Sequence, residues 1–267
     1  MNVSDFAKQI RVHSLKMVHH ANASHIGGVF SMADILAVLY MHVLNLNPDK
    51  PDWEDRDRFL LSKGHSCAGL YACLALKGFF PLSELDEYGQ NGSRLITHVS
   101  NKLPGVELST GSLGLALSVA SGLAIAAKRK NKNWHVFALL SDGELDEGSN
   151  WEPILLAPQL KLDNLIVIVD YNKIQSLGRV SEVIALESVK DKFEAFNWEV
   201  AEVDGHDCEA LLAAFAKMRT PNGKPKAIIA HTVKGKGVSF MEDRLLWHYK
   251  SPNLEQYNQA IDELNNQ

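Results

Sequence analysis

The sequence predicts an α/β protein in which a mostly parallel sheet is covered by helices on both faces. Five short, mostly apolar runs alternate with longer segments of helical periodicity, and this alternation is typical of parallel sheets. Polar turns follow the two most apolar runs, where open α/β sheets bind ligands. No linker-like stretch divides the chain, so we expect a single domain over residues 1–267.

The first half of the chain is predicted to be mainly helical. Ser4 can cap the first helix, and Phe6 and Ile10 lie on its apolar face. The A-S-H-I-G-G stretch then interrupts the helical pattern. In order, we expect helices at 4–21 and 31–43, a strand at 58–62, a helix at 66–77, and mostly loop at 83–107.

The second half of the chain contains the remaining predicted strands and one predicted helix that is interrupted by prolines. Pro153 and Pro158 both fall within the helix that is predicted after Gly148, although proline is tolerated only in a first turn. Ser149 and Glu152 match a capping box, so we expect a short helix that starts at Ser149. The other predicted elements are helices at 110–128, 182–196, 207–218 and 251–267, and strands at 135–140, 165–169, 198–203 and 226–231.

Composition excludes several classes of function. The chain has 46% hydrophobic and 22% charged residues with a net charge of −5, which is typical of soluble globular proteins and not of proteins that bind nucleic acids or anionic membranes. No apolar run approaches the roughly 18 residues that span a bilayer, and no secretion signal is visible. Cys67, Cys73 and Cys208 have no metal-binding or disulfide-like spacing, so we expect a reducing cytoplasm.

The ends of two predicted strands carry candidate metal ligands. Asp142 follows the strand at 135–140, and Asn172 follows the strand at 165–169. Their side-chain oxygens suit a hard cation such as Mg²⁺, which takes few protein ligands and completes its shell with phosphate and water. Gly143 lets the backbone approach a phosphate, and the helix after it offers unpaired N–H groups. The sequence therefore predicts a phosphate and metal site at this edge of the sheet.

The same segments resemble the thiamine-diphosphate motif of transketolases. That motif is matched by S-D-G-E-L-D-E-G-S-N-W-E at 141–152 and by D-Y-N-K-I at 170–174, with Ser141 and Tyr171 in place of the family's usual Gly and Asn. The resemblance implies that Mg²⁺ or Ca²⁺ is held by Asp142, Asn172 and the backbone carbonyl of Ile174. It also implies that Gly143 and Asn172 contact the cofactor.

Histidine-containing turns extend the resemblance along the chain. N-A-S-H-I-G-G is similar to the family's first loop, which implies that His25 lies at the sugar end of the cofactor. L-S-K-G-H-S is similar to the second loop, in which His65 would contact the diphosphate. The third segment begins T-H-V-S-N-K and implies that His98 binds the sugar. The order of these turns in the chain matches the order in the family.

The third and fourth segments imply further cofactor contacts. T-G-S-L-G would place Gly111, Ser112 and Leu113 along the cofactor. H-T-V-K-G-K-G through L-L-W-H would place Lys234 and His248 near the diphosphate and the substrate. Within this resemblance, His25 and His248 are the expected catalytic residues, because an imidazole can move a proton near neutral pH. His98, the third catalytic candidate, is expected to hold a donor hydroxyl.

The resemblance implies the N-terminal subunit of a split transketolase, which would transfer a two-carbon ketol unit from a ketose to an aldose. In the family, a second domain holds the aminopyrimidine ring and supplies the activating Glu, so we expect that domain on a partner chain. Glu147 and Glu152 match acidic positions at the family's subunit interface, although acids also favour a helix start. The simplest assembly is a heterotetramer with two copies of each chain.

Two other functions remain open. The α subunit of a 2-oxo acid dehydrogenase has the same domain and cofactor, but three histidines at the sugar end favour a polyhydroxy donor. A non-catalytic thiamine-diphosphate-binding module is the second alternative, and the intact candidate metal ligands argue against it. The sequence leaves the substrate pair open, including a modified or sulfonated sugar.

Overall fold

A computed structural model describes residues 1–266 and contains one parallel sheet. Its strands are β1 (Arg58–Leu61), β2 (Val136–Ser141), β3 (Leu165–Tyr171), β4 (Glu199–Asp204) and β5 (Lys226–His231). The strand order is β1-β2-β3-β5-β4, and every neighbouring pair is parallel. The predicted fold class is confirmed, and all five predicted strands agree with the structure within two residues.

Helices fill the intervals between these strands. The α-helices in the described part of the chain are α1 (Val3–His20), α2 (Ile26–Ser31), α3 (Ala33–Val38), α4 (Cys67–Leu76), α5 (Ala116–Arg129), α6 (Gly148–Gln159), α7 (Val180–Val183), α8 (Val189–Ala195), α9 (Cys208–Met218) and α10 (Leu254–Asn265). A π-helical turn at Leu39–Val43 continues α3, and short 3₁₀ turns occur at Gly64–Ser66, Leu82–Glu87, Gly143–Asp146 and Leu245–His248. Within residues 1–266, no helix is long and apolar enough to cross a membrane.

The two faces of the sheet bury separate apolar layers because successive strand side chains point to opposite faces. Phe137 and Leu139 of β2 pack with Ile166 and Ile168 of β3 against a layer formed largely by α1, α3, α4, α9 and α10. Ala138 of β2 and its alternate neighbours pack instead against α5, α6 and α8. Every residue of β3 is buried, so the strand that leads to Asn172 is held from both sides.

The segment that contains the predicted cofactor residues 111–113 is not helical, which corrects one expectation. Helix α5 begins at Ala116, whereas the sequence predicted a helix from residue 110. Gly114 adopts a left-handed backbone with φ of +83°, and its N–H donates to the side chain of Glu144 at 2.8 Å. A left-handed residue cannot continue a right-handed helix, so the helix starts only after the turn.

Helix α6 is longer than expected and starts differently. It runs for 12 residues from Gly148 and contains both prolines, and Glu147 rather than Ser149 occupies the N-cap position without a side-chain cap bond. The predicted capping box is therefore wrong. Pro153, Ile154 and Ala157 are buried against the sheet. We attribute the continuation of the helix past Pro153 to this packing, because tertiary contacts commonly outweigh local preferences.

Other helices also differ from expectation. Asn2, and not Ser4, caps α1, because its side chain accepts from the Asp5 N–H at 2.8 Å. The predicted helix at 182–196 is split into α7 and α8, and the Ser188 side chain caps α8 by accepting from the Asp191 N–H at 3.2 Å. The A-S-H-I-G-G stretch interrupts the helical pattern only up to His25, because Gly27 and Gly28 lie inside α2. A Cβ atom on Gly27 would lie 3.0 Å from Lys234 Cγ, so the absence of a side chain lets two distant segments meet.

Candidate functional site

A pocket opens where β1, β2, β3 and β5 end, at the carboxyl edge of the sheet. The segments that follow these strands all contribute to its wall. Its lining residues are Gly28, Lys63, His65, Leu113, Ser141, Asp142, Gly143, Asn172, Ile174, Gln175, Ser176, Lys234 and His248. Most of the predicted metal and cofactor residues therefore meet at one place, as the strand-end argument predicted.

The three predicted metal ligands line this pocket together. Asp142 is 1% exposed, and its carboxylate accepts from the backbone N–H of Gly143 at 2.8 Å and from that of Lys173 at 2.5 Å. The amide oxygen of Asn172 accepts from the N–H of Ile174 at 3.2 Å. Register pairs Ser141 with Asp170, so the residues that follow these strand ends are brought side by side.

The donor set fits a hard divalent cation. Asp142, Asn172 and the carbonyl of Ile174 supply only oxygen atoms, which Mg²⁺ and Ca²⁺ prefer. Among residues 1–266 there is no group of three or more His, Cys, Asp or Glu side chains that could hold a metal. The candidate centre is different in kind, since it combines one carboxylate, one amide and one carbonyl. Such a sparse set leaves coordination positions for phosphate oxygens and water.

The wall of the pocket includes one member of a buried ion pair that was not predicted from the sequence. The ammonium of Lys63 donates to the carboxylate of Asp170 and to the carbonyl of Gly28, and both charged side chains are almost fully buried. Ser31 and Thr232 donate to the same carboxylate. Burial alone would raise the pKa of Asp170, but the Lys63 ammonium holds that pKa below its usual value. Through these contacts, the ion pair connects the ends of β1, β3 and β5 to α2.

Asp170 also orients the candidate metal ligand two residues further on. The side-chain N–H of Asn172 points to Asp170 Oδ2 at 3.4 Å, which leaves the amide oxygen on the other side. Lys63 is part of the L-S-K-G-H-S turn, and its place in that turn was the only sequence feature that indicated a role at the site. No local pattern links it to a carboxylate on another strand.

Four predicted histidines surround the pocket and an adjoining cavity. The ring of His25 lies 4.9 Å from that of His65, 5.1 Å from that of His248 and 6.2 Å from that of His98, measured between centroids. The rings of His65 and His248 are 5.6 Å apart. The adjoining cavity is lined by Ala23, Ser24, His25, Tyr88, Thr97 and His98. Turns that are distant in the sequence thus place their imidazoles in one cluster.

His25 is held in this cluster by its backbone. It has a left-handed conformation with φ of +73°, which is uncommon for a residue with a side chain. Its N–H donates to the carbonyl of His248 at 3.0 Å. The ring of His248 in turn contacts Lys234 Nζ at 3.0 Å, and the same ammonium donates to the carbonyl of Ile174 at 2.8 Å. One lysine therefore connects the histidine cluster to the candidate metal site.

Burial sets the protonation of these groups. It lowers the pKa of His25 to about 4 and that of His248 to about 3, and it lowers the pKa of His65 well below its usual value. The nearby Lys234 ammonium adds to all three shifts. Burial also lowers the pKa of Lys234 to about 8, and with the neighbouring Asp170 carboxylate it raises the pKa of Asp142 to about 6. The three imidazoles are therefore neutral at pH 7.

Partly buried, neutral histidines predict acid lability of the fold. Because the unfolded chain binds protons near pH 6.5 and the folded chain only near pH 4 and 3, stability that is present above pH 6.5 is lost as the pH falls. The double variant His25→Gln/His248→Gln should show a shallower loss, by up to about 1.4 kcal/mol per pH unit for each histidine, and by less where solvent screens the ring. Urea unfolding at several pH values measures this.

The wild type is the reference for this comparison, because it differs from the double variant only at the two partly buried rings. The raised pKa of Asp142 acts in the opposite direction over its own range, but it is present in every protein compared and cancels in the difference. Parallel stability profiles for the wild type and the double variant would contradict the prediction.

The 110–115 turn is only partly at the pocket. Leu113 lines it, whereas Gly111 and Ser112 are exposed and do not. A Cβ atom on Gly111 would lie 3.3 Å from the ring of His98, so this glycine gives that imidazole room. Glu147 and Glu152 are exposed at the start of α6. Lys63, Gly28, Gln175 and Ser176 line the pocket but were not predicted.

The matching protein family agrees with this geometry. Residues 3–251 match the family described as transketolase, thiamine diphosphate binding domain. Among similar proteins, one of the subunits of the apulose-4-phosphate transketolase from Phocaeicola vulgatus is 42% identical over 250 residues, which is 94% of this chain and 89% of that protein. The 6-deoxy-6-sulfo-D-fructose transketolase subunit of a Clostridium species is 38% identical and covers 97% of this chain and 94% of that protein.

Solved transketolase structures also match this chain, but the match covers a smaller share of the solved protein. The transketolase of Leishmania mexicana superimposes with a TM-score of 0.93 at 33% identity, and the match covers 99% of this chain but 41% of that one. The chain thus spans less than half of a full-length transketolase. The family predicted from the strand-end motif and the histidine turns is confirmed: the chain belongs to the transketolase family, whose thiamine-diphosphate-binding domain it contains.

Proposed function

We propose that this chain is the N-terminal subunit of a split transketolase, which transfers a two-carbon ketol unit from a ketose donor to an aldose acceptor. The main support is that four histidine turns surround one pocket and an adjoining cavity, and that the oxygen-bearing candidate metal ligands line the same pocket. Relatives that are named as transketolase subunits and have nearly the same length as this chain agree with this proposal. They favour it over a silent binding module and over the α subunit of a 2-oxo acid dehydrogenase.

The pocket has the groups that a diphosphate with a divalent cation requires. Asp142, Asn172 and the carbonyl of Ile174 would hold Mg²⁺ or Ca²⁺, while His65 and Lys234 would contact the diphosphate. Gly143 has no side chain to obstruct a phosphate. When bound, thiamine diphosphate supplies the nucleophilic carbon that attacks the donor carbonyl, so the protein contributes binding, orientation and proton handling.

The histidine cluster would act on the sugar. His25 and His248 are neutral at pH 7, so each ring has an unprotonated nitrogen that can accept a hydrogen bond from a donor hydroxyl and an N–H that can donate to the donor's carbonyl oxygen. His98, which lines the adjoining cavity, would hold a second hydroxyl of the donor. A polyhydroxy ketose matches this arrangement better than a 2-oxo acid, which offers no hydroxyl chain to bind.

The donor is proposed to be a ketose that carries an anionic group at its far end. One relative is named for apulose 4-phosphate and another for 6-deoxy-6-sulfo-D-fructose, and both names describe such sugars. The cavity beside His25 and His98 is lined by neutral side chains and histidines. We therefore expect the partner chain to supply the basic residues that grip the phosphate or sulfonate.

A partner subunit would complete the site, with residues 1–267 as the diphosphate-binding domain and the pyrimidine-binding domain on the partner. The relatives' names describe each of those proteins as one subunit. Large apolar side chains are exposed at the start of α5 and along α6, two helices that contact each other, namely Leu115, Val119, Leu155, Leu156 and Leu160. Such a surface is typical of assembly, and we propose a heterotetramer with two copies of each chain.

Two further assignments support the same picture. Glu152 is exposed on the same helix as Leu155 and Leu156, and Glu147 is exposed at the N-cap of that helix, which is compatible with a role at a subunit interface. A reducing cytoplasm is proposed as the location, since the spacing of Cys67, Cys73 and Cys208 in the sequence is not disulfide-like.

Reconstitution tests the proposed function. This chain alone, with thiamine diphosphate and Mg²⁺, should release no product from a ketose, whereas addition of the pyrimidine-domain subunit from the same organism should start ketol transfer. Parallel assays with a ketose phosphate, a sulfonated ketose and a 2-oxo acid separate the candidate donors. Robust transfer by this chain alone would refute the split enzyme, and turnover of only the 2-oxo acid would refute the transketolase assignment.

A further inference from the structure

Backbone hydrogen bonds hold the loop that contains His98 against the rest of the protein. The ring of His98 is exposed, so its position depends on the main chain beneath it. On one side, the N–H of Val99 donates to the carbonyl of Gly64, the residue before His65, at 3.2 Å. The carbonyl of Val99 accepts from the N–H of Thr110 at 3.2 Å. These bonds join the His98 segment to two other turns of the site.

A buried tyrosine hydroxyl fastens the same segment from the other side. Tyr71 lies in α4 and is 0% exposed. Its hydroxyl donates to the carbonyl of His98 at 2.6 Å and accepts from the N–H of Ser100 at 3.1 Å. Both partners are main-chain groups on either side of Val99, so one oxygen atom fixes the path of three consecutive residues. The helix that holds Tyr71 directly follows the turn that contains His65.

We propose that Tyr71 is a positioning residue for the donor sugar, which sets the place of His98 relative to the other histidines without touching substrate. This inference rests on the proposed function. The position of the Tyr71 hydroxyl is fixed in advance, because α4 packs in the main apolar layer and the buried tyrosine ring has little freedom to move. Without the hydroxyl, the His98 carbonyl and the Ser100 N–H lose a shared buried partner, and the loop must shift to satisfy them.

The variant Tyr71→Phe tests this, because it removes one oxygen atom and keeps the ring. In the reconstituted enzyme we expect the donor KM to rise about tenfold, which corresponds to about 1.4 kcal/mol. Turnover at saturating donor and affinity for thiamine diphosphate should change by less than about twofold, since the metal and diphosphate contacts are elsewhere. Tyr40→Phe is the matched control, because this buried tyrosine packs on Phe59 and not on the His98 loop.

Coupling to His98 distinguishes positioning from general support of the fold. If Tyr71 acts through His98, the double variant Tyr71→Phe/His98→Ala should have the same donor KM as His98→Ala alone. Additive effects would overturn the proposal. So would a Tyr71→Phe enzyme that loses turnover and cofactor affinity in proportion to its KM, because that is the signature of a general structural defect.

A second readout uses this chain without a partner or substrate. Tyr71→Phe should accelerate amide hydrogen exchange at Ser100 and shift the ring resonances of His98 in NMR spectra, whereas Tyr40→Phe should do neither. Unchanged exchange and resonances would refute the anchoring role even in an active enzyme. If the wild type and its partner transfer no ketol unit, the proposed function fails, and the NMR result still decides whether Tyr71 holds the loop.

Discussion

Replacement of Asp142 by alanine is expected to lower the affinity for thiamine diphosphate in the presence of Mg²⁺ by more than about 100-fold. Loss of residues that merely support a metal ligand typically costs 10–100-fold, and Asp142 is proposed as a ligand itself. Its carboxylate also accepts from the N–H groups of Gly143 and Lys173. The change therefore removes a metal donor and loosens the turn beside the other donors. Calorimetric titration with and without Mg²⁺ measures the effect.

A conservative variant separates loss of the ligand from loss of the fold. Asp142→Asn keeps one oxygen and the side-chain size, so it should weaken binding less than alanine does. Burial raises the pKa of Asp142 to about 6, so Asn removes a charge that is costly at neutral pH, but its NH₂ group replaces one of the two oxygens that accept from the N–H groups of Gly143 and Lys173. These two effects oppose each other, so the free energy of unfolding should change little. Cofactor affinity equal to that of the wild type in Asp142→Ala would eliminate the metal assignment.

Ser141→Gly is the control on the neighbouring position. Ser141 occupies the place of the family's first glycine, and it is the last residue of β2. It is not among the residues with a positive φ in the described chain, so a glycine is not required there. We expect this variant to bind thiamine diphosphate as the wild type does. A marked gain in affinity would show that the serine side chain, rather than the backbone, limits the site.

The strand-end residues were predictable because the local sequence pattern and the topology of parallel strands lead to the same site. The runs that lead to Asp142 and Asn172 are short, apolar and bounded by polar turns, which indicates neighbouring buried strands. Parallel strands place their carboxyl ends at one edge of the sheet, so both side chains had to meet there. Register confirms the arrangement, because Ser141 pairs with Asp170. Local pattern and topology together suffice for this half of the site.

Contacts between distant segments were not predictable in the same way. Lys63 and Asp170 are 107 residues apart, and neither lies in a pattern that demands a buried partner. The turn at 110–115 depends on Glu144, which accepts from the N–H of Gly114 and from Ser62. The helical propensity of the following residues is a property of the local sequence, so it carries no information about a hydrogen bond to a distant segment. Tertiary hydrogen bonds therefore decide where α5 starts and where Leu113 lies.

His25→Ala and His248→Ala are expected to lower kcat by roughly 10²–10⁴-fold while leaving cofactor affinity nearly intact, because positioned proton transfer contributes about that much. Burial keeps both rings neutral at pH 7 and makes them weak bases, so each would act through a hydrogen bond shared with the donor hydroxyl in the transition state and not through a stable imidazolium. His65→Ala should behave differently. Its ring lines the pocket beside Lys63 and Asp142, so its loss should weaken binding of thiamine diphosphate before it affects turnover.

Kinetics of the reconstituted enzyme distinguish the two groups. With thiamine diphosphate raised to saturation, His65→Ala should recover most of its turnover, whereas His25→Ala and His248→Ala should not. The contact between Lys234 and His248 adds a specific expectation: Lys234→Met should lose cofactor affinity through the diphosphate and turnover through His248. Recovery of all three histidine variants at high cofactor would mean that the whole cluster serves binding. Proton transfer would then have to come from the partner chain, because the partly buried imidazoles of His25 and His248 would have no chemical role.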